Sequence, residues 1–439
     1  MTGFLYRFFG LNDKNTTIKN ECIGGLATFM SMAYLIFVIP DMLADAGMPK
    51  DASVTATILI SSAVTLVMGL WANFPVAAAP GVGISAFFAY YVCGTLGLPW
   101  QTALGAVFIS GVAFLLLTVT HVRQMIIDAV PMDLKYATVA GIGTFIAFIG
   151  LKKCGIIVAH PVNFVALGDV TAPPALLALG GVCAISAMTA RGMRIAIPAG
   201  IIGVTLVGMA VGQATVPGSL EDVASFSVPS VAPIFLQLDI WAALHYGLFS
   251  IIFSITMVDL FDNIGTLIGL ARKADLMDEK GRIPNLDRAL VTDSVGAIGS
   301  ACIGAPTVTA YIESAAGIAA GGRTGLTAVF VAFFFLITLF FVPLVTIVPG
   351  YATAPALIIV GALMMQEVTH IRFDDFSTAI PAFLTIIMMP LTFSIAAGFG
   401  FGFVSYALLK TLAGKHREVS LVMWIIAACF AVNFALRLH

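Results

Sequence analysis

Long apolar runs separated by short polar stretches dominate the chain. They fall at roughly 21–40, 53–72, 74–97, 102–121, 136–151, 172–190, 194–214, 240–271, 285–303, 306–322, 324–342, 352–368, 377–395 and 396–412. A further apolar run covers about 420–437. A hydrocarbon core about 30 Å thick asks for about 20 apolar residues per spanning helix. The pattern therefore predicts an all-α polytopic membrane protein, with 420–437 either crossing the bilayer or lying along its surface. Composition agrees: 60% of residues are hydrophobic and 10% charged, against globular averages of about 45–50% and about 25%.

The distribution of Lys and Arg sets an expected orientation. With the N-terminus in the cytoplasm, Arg7, Lys14 and Lys19 lie inside, as do His121/Arg123 and Arg191/Arg194. After seven spans the 215–239 loop lies outside; it contains Glu221 and Asp222 but no Lys or Arg. The most basic loop, with Arg272, Lys273, Lys280, Arg282 and Arg288, returns inside, followed later by Lys410, Lys415 and Arg417. Lys152 and Lys153 are the main misfit. Met1 to Asn20 is polar and basic, and the apolar run after it is too long for a cleavable signal.

The two halves resemble each other. Thr102-Ala-Leu-Gly-Ala-Val-Phe108 matches Thr324-Gly-Leu-Thr-Ala-Val-Phe330 at five of seven positions. Val130-Pro131 recurs as Val348-Pro349, and Ala79-Pro80 as Ala305-Pro306. An odd number of spans separates the repeats, so they are expected in inverted orientation. Inverted repeats with broken helices at the midplane are a transporter architecture.

Against this apolar background three acids stand out. Asp259 and Asp262 lie in FSITMVDLFDNIGTLIGLA, and Glu313 in GAPTVTAYIESAAGIAAGG. An acid at the centre of a membrane helix costs roughly 2.5–3.5 kcal/mol on insertion scales. Such residues face protein, water or ligand, and they mark proton relays and ion pathways. The plainer alternative is an interhelical polar contact, but no Lys or Arg lies in those helices; the nearest, Arg323, follows Glu313 by ten residues. The three-residue separation of Asp259 and Asp262 puts them on one helix face. Thr266 continues that face, with Asn263 beside it.

Two segments at corresponding repeat positions read as broken helices: Pro75 to Tyr90, and Gly304 to Gly317. In each, a Pro and small or β-branched residues precede a helical stretch. The pattern predicts short extended pieces near 80–86 and 305–311, each meeting a half-helix N-terminus with free N–H donors. Phe87 or Phe88 could stack on a planar ring or simply pack. Ser85 and Thr266 could contact ligand or bond back to their own helices.

At these residues the chain resembles purine permeases of the AzgA-like branch of nucleobase:cation symporter family 2, from about Phe9 to Lys410. The resemblance is carried by Asp259-Leu-Phe-Asp262 with Gly265-Thr266-Leu267, and by Thr309-Ala-Tyr311-Ile-Glu313-Ser314-Ala-Ala-Gly317. Gly24 to Tyr34, Ala79-Pro80-Gly81 and Pro381-Ala-Phe-Leu-Thr add to it. It implies seven plus seven inverted spans, with half-helices and extended breaks in spans 3 and 10. It further implies a ligand-holding core (21–121 and 240–342), a gate (122–215 and 343–412) that often forms a dimer surface, and flanking segments 1–20 and 413–439. Related uracil permeases carry essential glutamates in spans 8 and 10; by motif position these resemble Asp262 and Glu313. Asp259 matches the other acidic position of the purine branch. Two positions depart from the family pattern: Ser85 stands where Asn is usual, and Asn263 where Thr is usual.

The residues expected to contact substrate are Asp262, Glu313, Ser85, Phe87, Asn263, Thr266 and Thr28. Two or three acids at one site cannot all ionise cheaply, so Asp259 and Glu313 are the expected proton carriers. The resemblance implies a proton-coupled, elevator-type importer of purine nucleobases (hypoxanthine/guanine or adenine) in a bacterial-type inner membrane, with a homodimer through the gate. Neither a basic run nor aromatic-basic interleaving suggests nucleic acid. The six cysteines and six histidines are dispersed, so neither metal nor cofactor is expected. A small-solute or anion channel on the same repeat is the main alternative, and saturable uptake against a gradient separates the two. An intramembrane hydrolase with paired aspartates is a third reading. It would need acids from separate helices, whereas Asp259 and Asp262 share one.

Overall fold

A computed structural model describes residues 2–120, 122–245, 249–274, 276, 283 and 285–437. Within helices some side chains lie outside the description, those of 261–265 among them. Asp262 and Asn263 are thus placed on a helix, and nothing is said of their side chains. His121, Lys280 and Arg282 lie outside the described residues.

The helices are α1 (Thr2–Phe9), α2 (Ile18–Met32), α3 (Leu35–Asp45), α4 (Lys50–Val67), α5 (Val82–Ala86), α6 (Trp100–Val119), α7 (Val122–Ala129), α8 (Met132–Lys153), α9 (Pro173–Ala190) and α10 (Ala196–Ala210). In the second half follow α11 (Ile240–His245), α12 (Phe249–Lys273), α13 (Leu286–Ile303), α14 (Ser314–Ala319), α15 (Gly325–Ile337), α16 (Val342–Ile347), α17 (Gly350–Met365), α18 (Phe376–Thr392), α19 (Ile395–Leu412) and α20 (Leu421–Arg437). Strands β1 (Ala78–Pro80), β2 (Ile157–His160), β3 (Phe164–Leu167) and β4 (Val308–Ala310) complete the set. Among the described residues, eight helical segments are long and apolar enough to cross a membrane, and five more apolar helices are shorter. The fold is a mostly helical polytopic membrane fold.

Local sequence explains many of the boundaries. Thr17, Thr324, Asp375 and Ser394 cap the helices that follow them with side-chain oxygens, satisfying N–H groups left without partners in a first turn. Prolines precede α4, α6, α8 and α17, where a fixed φ and a missing N–H cost nothing. Gly304 ends α13 at φ 92, a conformation that favours glycine. Asn73, left-handed after the wide π-turn Met68–Ala72, stops the α4 span. Its amide ties two distant segments, accepting from Gly325 N at 2.7 Å and donating to Phe9 O at 3.2 Å.

Two packing groups emerge. Helices α2, α4, α6, α13 and α15 pack chiefly on one another and on the β1 region, whereas α8, α9, α10, α17, α18 and α19 pack among themselves. Close approach rests on small residues, as is usual between membrane helices. A Cβ on Gly317 would fall 2.1 Å from Thr28 Oγ1 and 2.4 Å from Gly24 O. The start of α15 is held by a buried acid: Glu21, 0% exposed, accepts from Arg323 N (3.0 Å), Thr324 N (3.2 Å), Thr327 N (3.1 Å), Thr327 Oγ1 and Thr16 Oγ1.

The structure departs from an all-helical expectation in one place. Ile157–His160 and Phe164–Leu167 form an antiparallel hairpin between α8 and α9. Its alternating β-branched and aromatic residues suit a strand, but a search for spanning helices passes over so short a segment.

Candidate functional site

The site is built where two interrupted segments meet. β1 and β4 pair antiparallel, with Ala78 opposite Ala310, Ala79 opposite Thr309 and Pro80 opposite Val308. Further backbone bonds run from Gly81 N to Thr307 O and from Tyr311 N to Ala77 O, both 3.0 Å. Backbone that leaves a helix at membrane depth must find other partners, and each broken strand supplies them for the other. The extended piece of the first segment ends at Pro80. Val82–Ala86 is already helical, so the break lies slightly earlier than 80–86. Beyond it Phe87–Thr95 continues as a π-helix.

Side chains clamp the crossing. Tyr311 OH donates to Pro80 O at 2.6 Å and accepts from Val82 N at 3.1 Å, so one phenol closes the strand and the first turn of α5. Ser314 Oγ accepts from Ala77 N at 3.0 Å. Thr65 Oγ1 donates to Ala78 O at 3.0 Å and accepts from Ala78 N at 2.9 Å.

Helix α12 packs against α5, β4 and α14, which brings the acid-bearing helix to the crossing. Asp259 is wholly buried on it. Ten residues from its start and fourteen from its end, Asp259 sits about 15 and 21 Å from the two helix ends at about 1.5 Å per residue, near the middle of the helix. Thr266 is half-buried on the same helix. Glu313, half-buried immediately before α14, accepts a 2.9 Å hydrogen bond from Tyr34 OH in the turn between α2 and α3. Ser85 is wholly buried on α5, and its Oγ finds no hydrogen-bond partner among the described residues. The same holds for Thr307 Oγ1 and Thr309 Oγ1 at the crossing and for Thr28 Oγ1 on α2. Buried hydroxyls usually have a partner, and these four find none among the described residues.

Other expected residues are placed differently. Phe87 is 1% exposed and stacks on Tyr91, rings 5.0 Å apart at 21°. Thr28 lies against Gly317 in the α2–α14 contact. Sequence reasoning passed over Tyr34 and Tyr311, although both stand in the motifs that drew attention, each beside a helix break. It also expected no cation near the acids. The structure brings one from another helix: Arg123 of α7 lies 3.7 Å from the buried Asp293, and α7 packs against α12, which carries Asp259. Lys153, half of the charge misfit, pairs with Asp41 and lies 3.0 Å from Asp45, and Lys152 sits 4.9 Å above the Phe393 ring.

An interrupted, mostly helical membrane fold with a buried and a half-buried acid beside the crossing is the architecture of a membrane transporter. The chain belongs to the xanthine/uracil permease family, a family of transporters rather than enzymes: the model of that permease family matches residues 19–401. The adenine permease AdeQ of Escherichia coli K12 is 42% identical over 99% of this chain and 97% of its own. The guanine/hypoxanthine permease PbuO of Bacillus subtilis 168 is 41% identical over 97% and 99%. The fold is shared more widely. The transmembrane domain of the cyanobacterial bicarbonate transporter BicA superposes with a TM-score of 0.65 at 15% identity, covering 85% of this chain and 95% of that one. The murine anion transporter Slc26a9 in its inward-facing state gives 0.61 at 11% identity, covering 94% and 72%.

Proposed function

We propose that this chain imports purine nucleobases by proton symport through elevator-type alternating access. The observation that carries the reading is the crossing of β1 and β4 against α12: Asp259 is buried on α12, Glu313 immediately precedes α14, and the hydroxyls of Ser85, Thr307 and Thr309 find no partner among the described residues. Relatives named for adenine and for guanine/hypoxanthine, at 41–42% identity over nearly the full length, supply the substrate class. A nucleobase presents N–H donors and ring acceptors along its edges. Glu313 and Asp262 accept the donors, and the backbone at the start of α5 near Ser85 meets the acceptors; Asn263 and Thr266 line the same side. A base with the wrong edge leaves a buried group unpaired at roughly 1–3 kcal/mol.

In this reading 21–121 and 240–342 form the ligand-holding core and 122–215 and 343–412 the gate, related as seven plus seven inverted spans. The two packing groups of helices support the division. The N-terminus and the 272–288 loop face the cytoplasm of an inner membrane. The exposed apolar faces of α9 and α10, with Leu176, Leu179, Ile202 and Leu206 at 40–59% exposure, suit lipid or a second gate in a homodimer. Asp259 and Glu313 carry the coupled proton. The test is uptake of labelled adenine, guanine, hypoxanthine and uracil by cells lacking their own nucleobase permeases and expressing this chain. Saturable purine uptake is expected, with uracil excluded; uptake indistinguishable from empty cells would reject the reading.

A further inference from the structure

Arg123 is 1% exposed on α7, among the largest fully buried side chains of the protein. Its Nη2 lies 3.7 Å from Asp293 Oδ2 on α13, itself fully buried. Nη1 donates to Thr118 Oγ1 at 3.4 Å, and that hydroxyl shares a 2.9 Å hydrogen bond with Ser294. The guanidinium carbon stands 4.1 Å over the Phe114 ring. Helix α7 also packs against α12, the helix that carries the buried Asp259. Residues of α6 and α13 thus meet the fixed cation carried by α7, and α12 packs against the helix that bears it. A buried charge is costly unless it is matched, and an arginine does not release its proton at any relevant pH. The protonation that changes in this cluster is therefore that of the carboxylates. Asp293 is seven residues into α13, about 10 Å from its start at about 1.5 Å per residue.

The place of α7 in the chain adds a second argument. It is the elbow between α6 and α8, where the proposed core segment 21–121 passes into the proposed gate segment 122–215. It packs on α6, α12 and α20. A shift of the elbow moves the cation relative to both acids, and Coulomb energies at low dielectric are steep in distance.

We propose that Arg123 is a positioning residue for proton coupling: carried on the elbow between the two segments, it holds Asp293 and sets how Asp259 takes and releases its proton as they move. The inference rests on the symport reading above. Other described charges on the packed elements are engaged elsewhere. Lys410 on α19 pairs with Asp375 and Glu418, Asp133 on α8 pairs with Arg372, and Glu313 bonds Tyr34. Arg288 Nη1 at the start of α13 donates to Trp71 O.

The test uses the full chain in proteoliposomes, with uptake of labelled adenine and hypoxanthine measured from pH 5 to 9 per folded protein. A carboxylate that loses a neighbouring cation holds its proton more tightly, with shifts of about 1–3 pH units for close pairs. R123Q is expected to move the half-maximal pH of uptake upward by about one unit, and R123K to keep the parent value. R123Q/D293N removes one charge of each sign and is expected to return toward the parent. An unmoved midpoint in R123Q, or a double variant that stays where R123Q stands, overturns the inference. If R123Q does not fold, the double variant decides: folded with the parent midpoint supports the proposal, and folded with a shifted midpoint overturns it. Loss of folding in R123Q, R123K and the double variant alike makes Arg123 purely architectural and also overturns it. A parent protein that takes up neither purine at any pH rejects the transport reading and this inference with it, whereas a transporting parent with an indifferent R123Q rejects the inference alone.

Discussion

At the residue scale the crossing of the two broken segments depends on a few polar atoms. Tyr311 OH joins Pro80 O and Val82 N, so Tyr311→Phe leaves a carbonyl and an amide unpaired where water is scarce. A loss of about 1–3 kcal/mol is expected, read as a lower unfolding temperature of the detergent-solubilised protein together with weaker purine binding; an unchanged melting curve would remove Tyr311 from this role. Glu313→Ala and Asp262→Ala each delete a proposed charged acceptor. Each is expected to weaken purine binding by roughly 1.5–3 kcal/mol, about ten- to a hundredfold, in a radioligand binding assay. Parent-like binding by both variants would place the site elsewhere. Asp259→Asn keeps shape and some hydrogen bonding but cannot titrate. It is expected to bind purine nearly as the parent does and to lose accumulation against a gradient. Of these residues, the acids stood out in the sequence because a charge in an apolar run calls for a polar partner or a ligand. Tyr34 and Tyr311 were not, because an aromatic in such a run looks like packing until the backbone break beside it is known.

At the scale of elements, helix ends carry the information. Glu21 gathers three backbone amides and two hydroxyls at the start of α15, joining the beginning of α2 to a helix some 300 residues further on. Glu21→Ala strands those donors in a buried place, at a cost of about 3 kcal/mol or more by the worth of hydrogen bonds to charged groups. Glu21→Gln keeps one acceptor oxygen and recovers part of the loss. Thermal unfolding monitored by size exclusion ranks the three proteins, and equal stability of E21A and parent would mean that water replaces the carboxylate. Spanning helices were legible from apolar length, and the region of the breaks from Pro80 and Pro306 with their small neighbours. The partnership of β1 with β4 was not, since neither three-residue strand has a pattern of its own and the pairing spans some 230 residues. Nor was the Arg123 cluster: the apolar runs around the acids contain no cation, and no periodicity reports which distant helix supplies one.

At the scale of the whole molecule, the proposed sidedness rests on charge. An inside N-terminus would put the C-terminal ends of α3 and α8 on the opposite side; there Asp41 binds Lys153, accepts from Thr353 Oγ1 at 2.9 Å and lies 3.6 Å from Lys50. Lys50 Nζ also donates to Val348 O at 2.9 Å. This cluster ties α3 and α4 to α8 and α17, across the proposed core–gate boundary. Single cysteines at 280 and 218, labelled with an impermeant maleimide in intact cells, are expected to react only at 218; the reverse pattern would invert the orientation.

Proton symport itself is tested most directly by accumulation. Proteoliposomes containing the full chain, with an imposed inward proton gradient, are expected to concentrate labelled adenine or hypoxanthine above the external level. A protonophore should reduce the internal concentration to equilibrium, and each purine taken up should be accompanied by alkalinisation of the medium. Purine equilibration that is indifferent to the gradient and to the protonophore would contradict proton coupling, and an absence of purine movement would contradict the function as a whole.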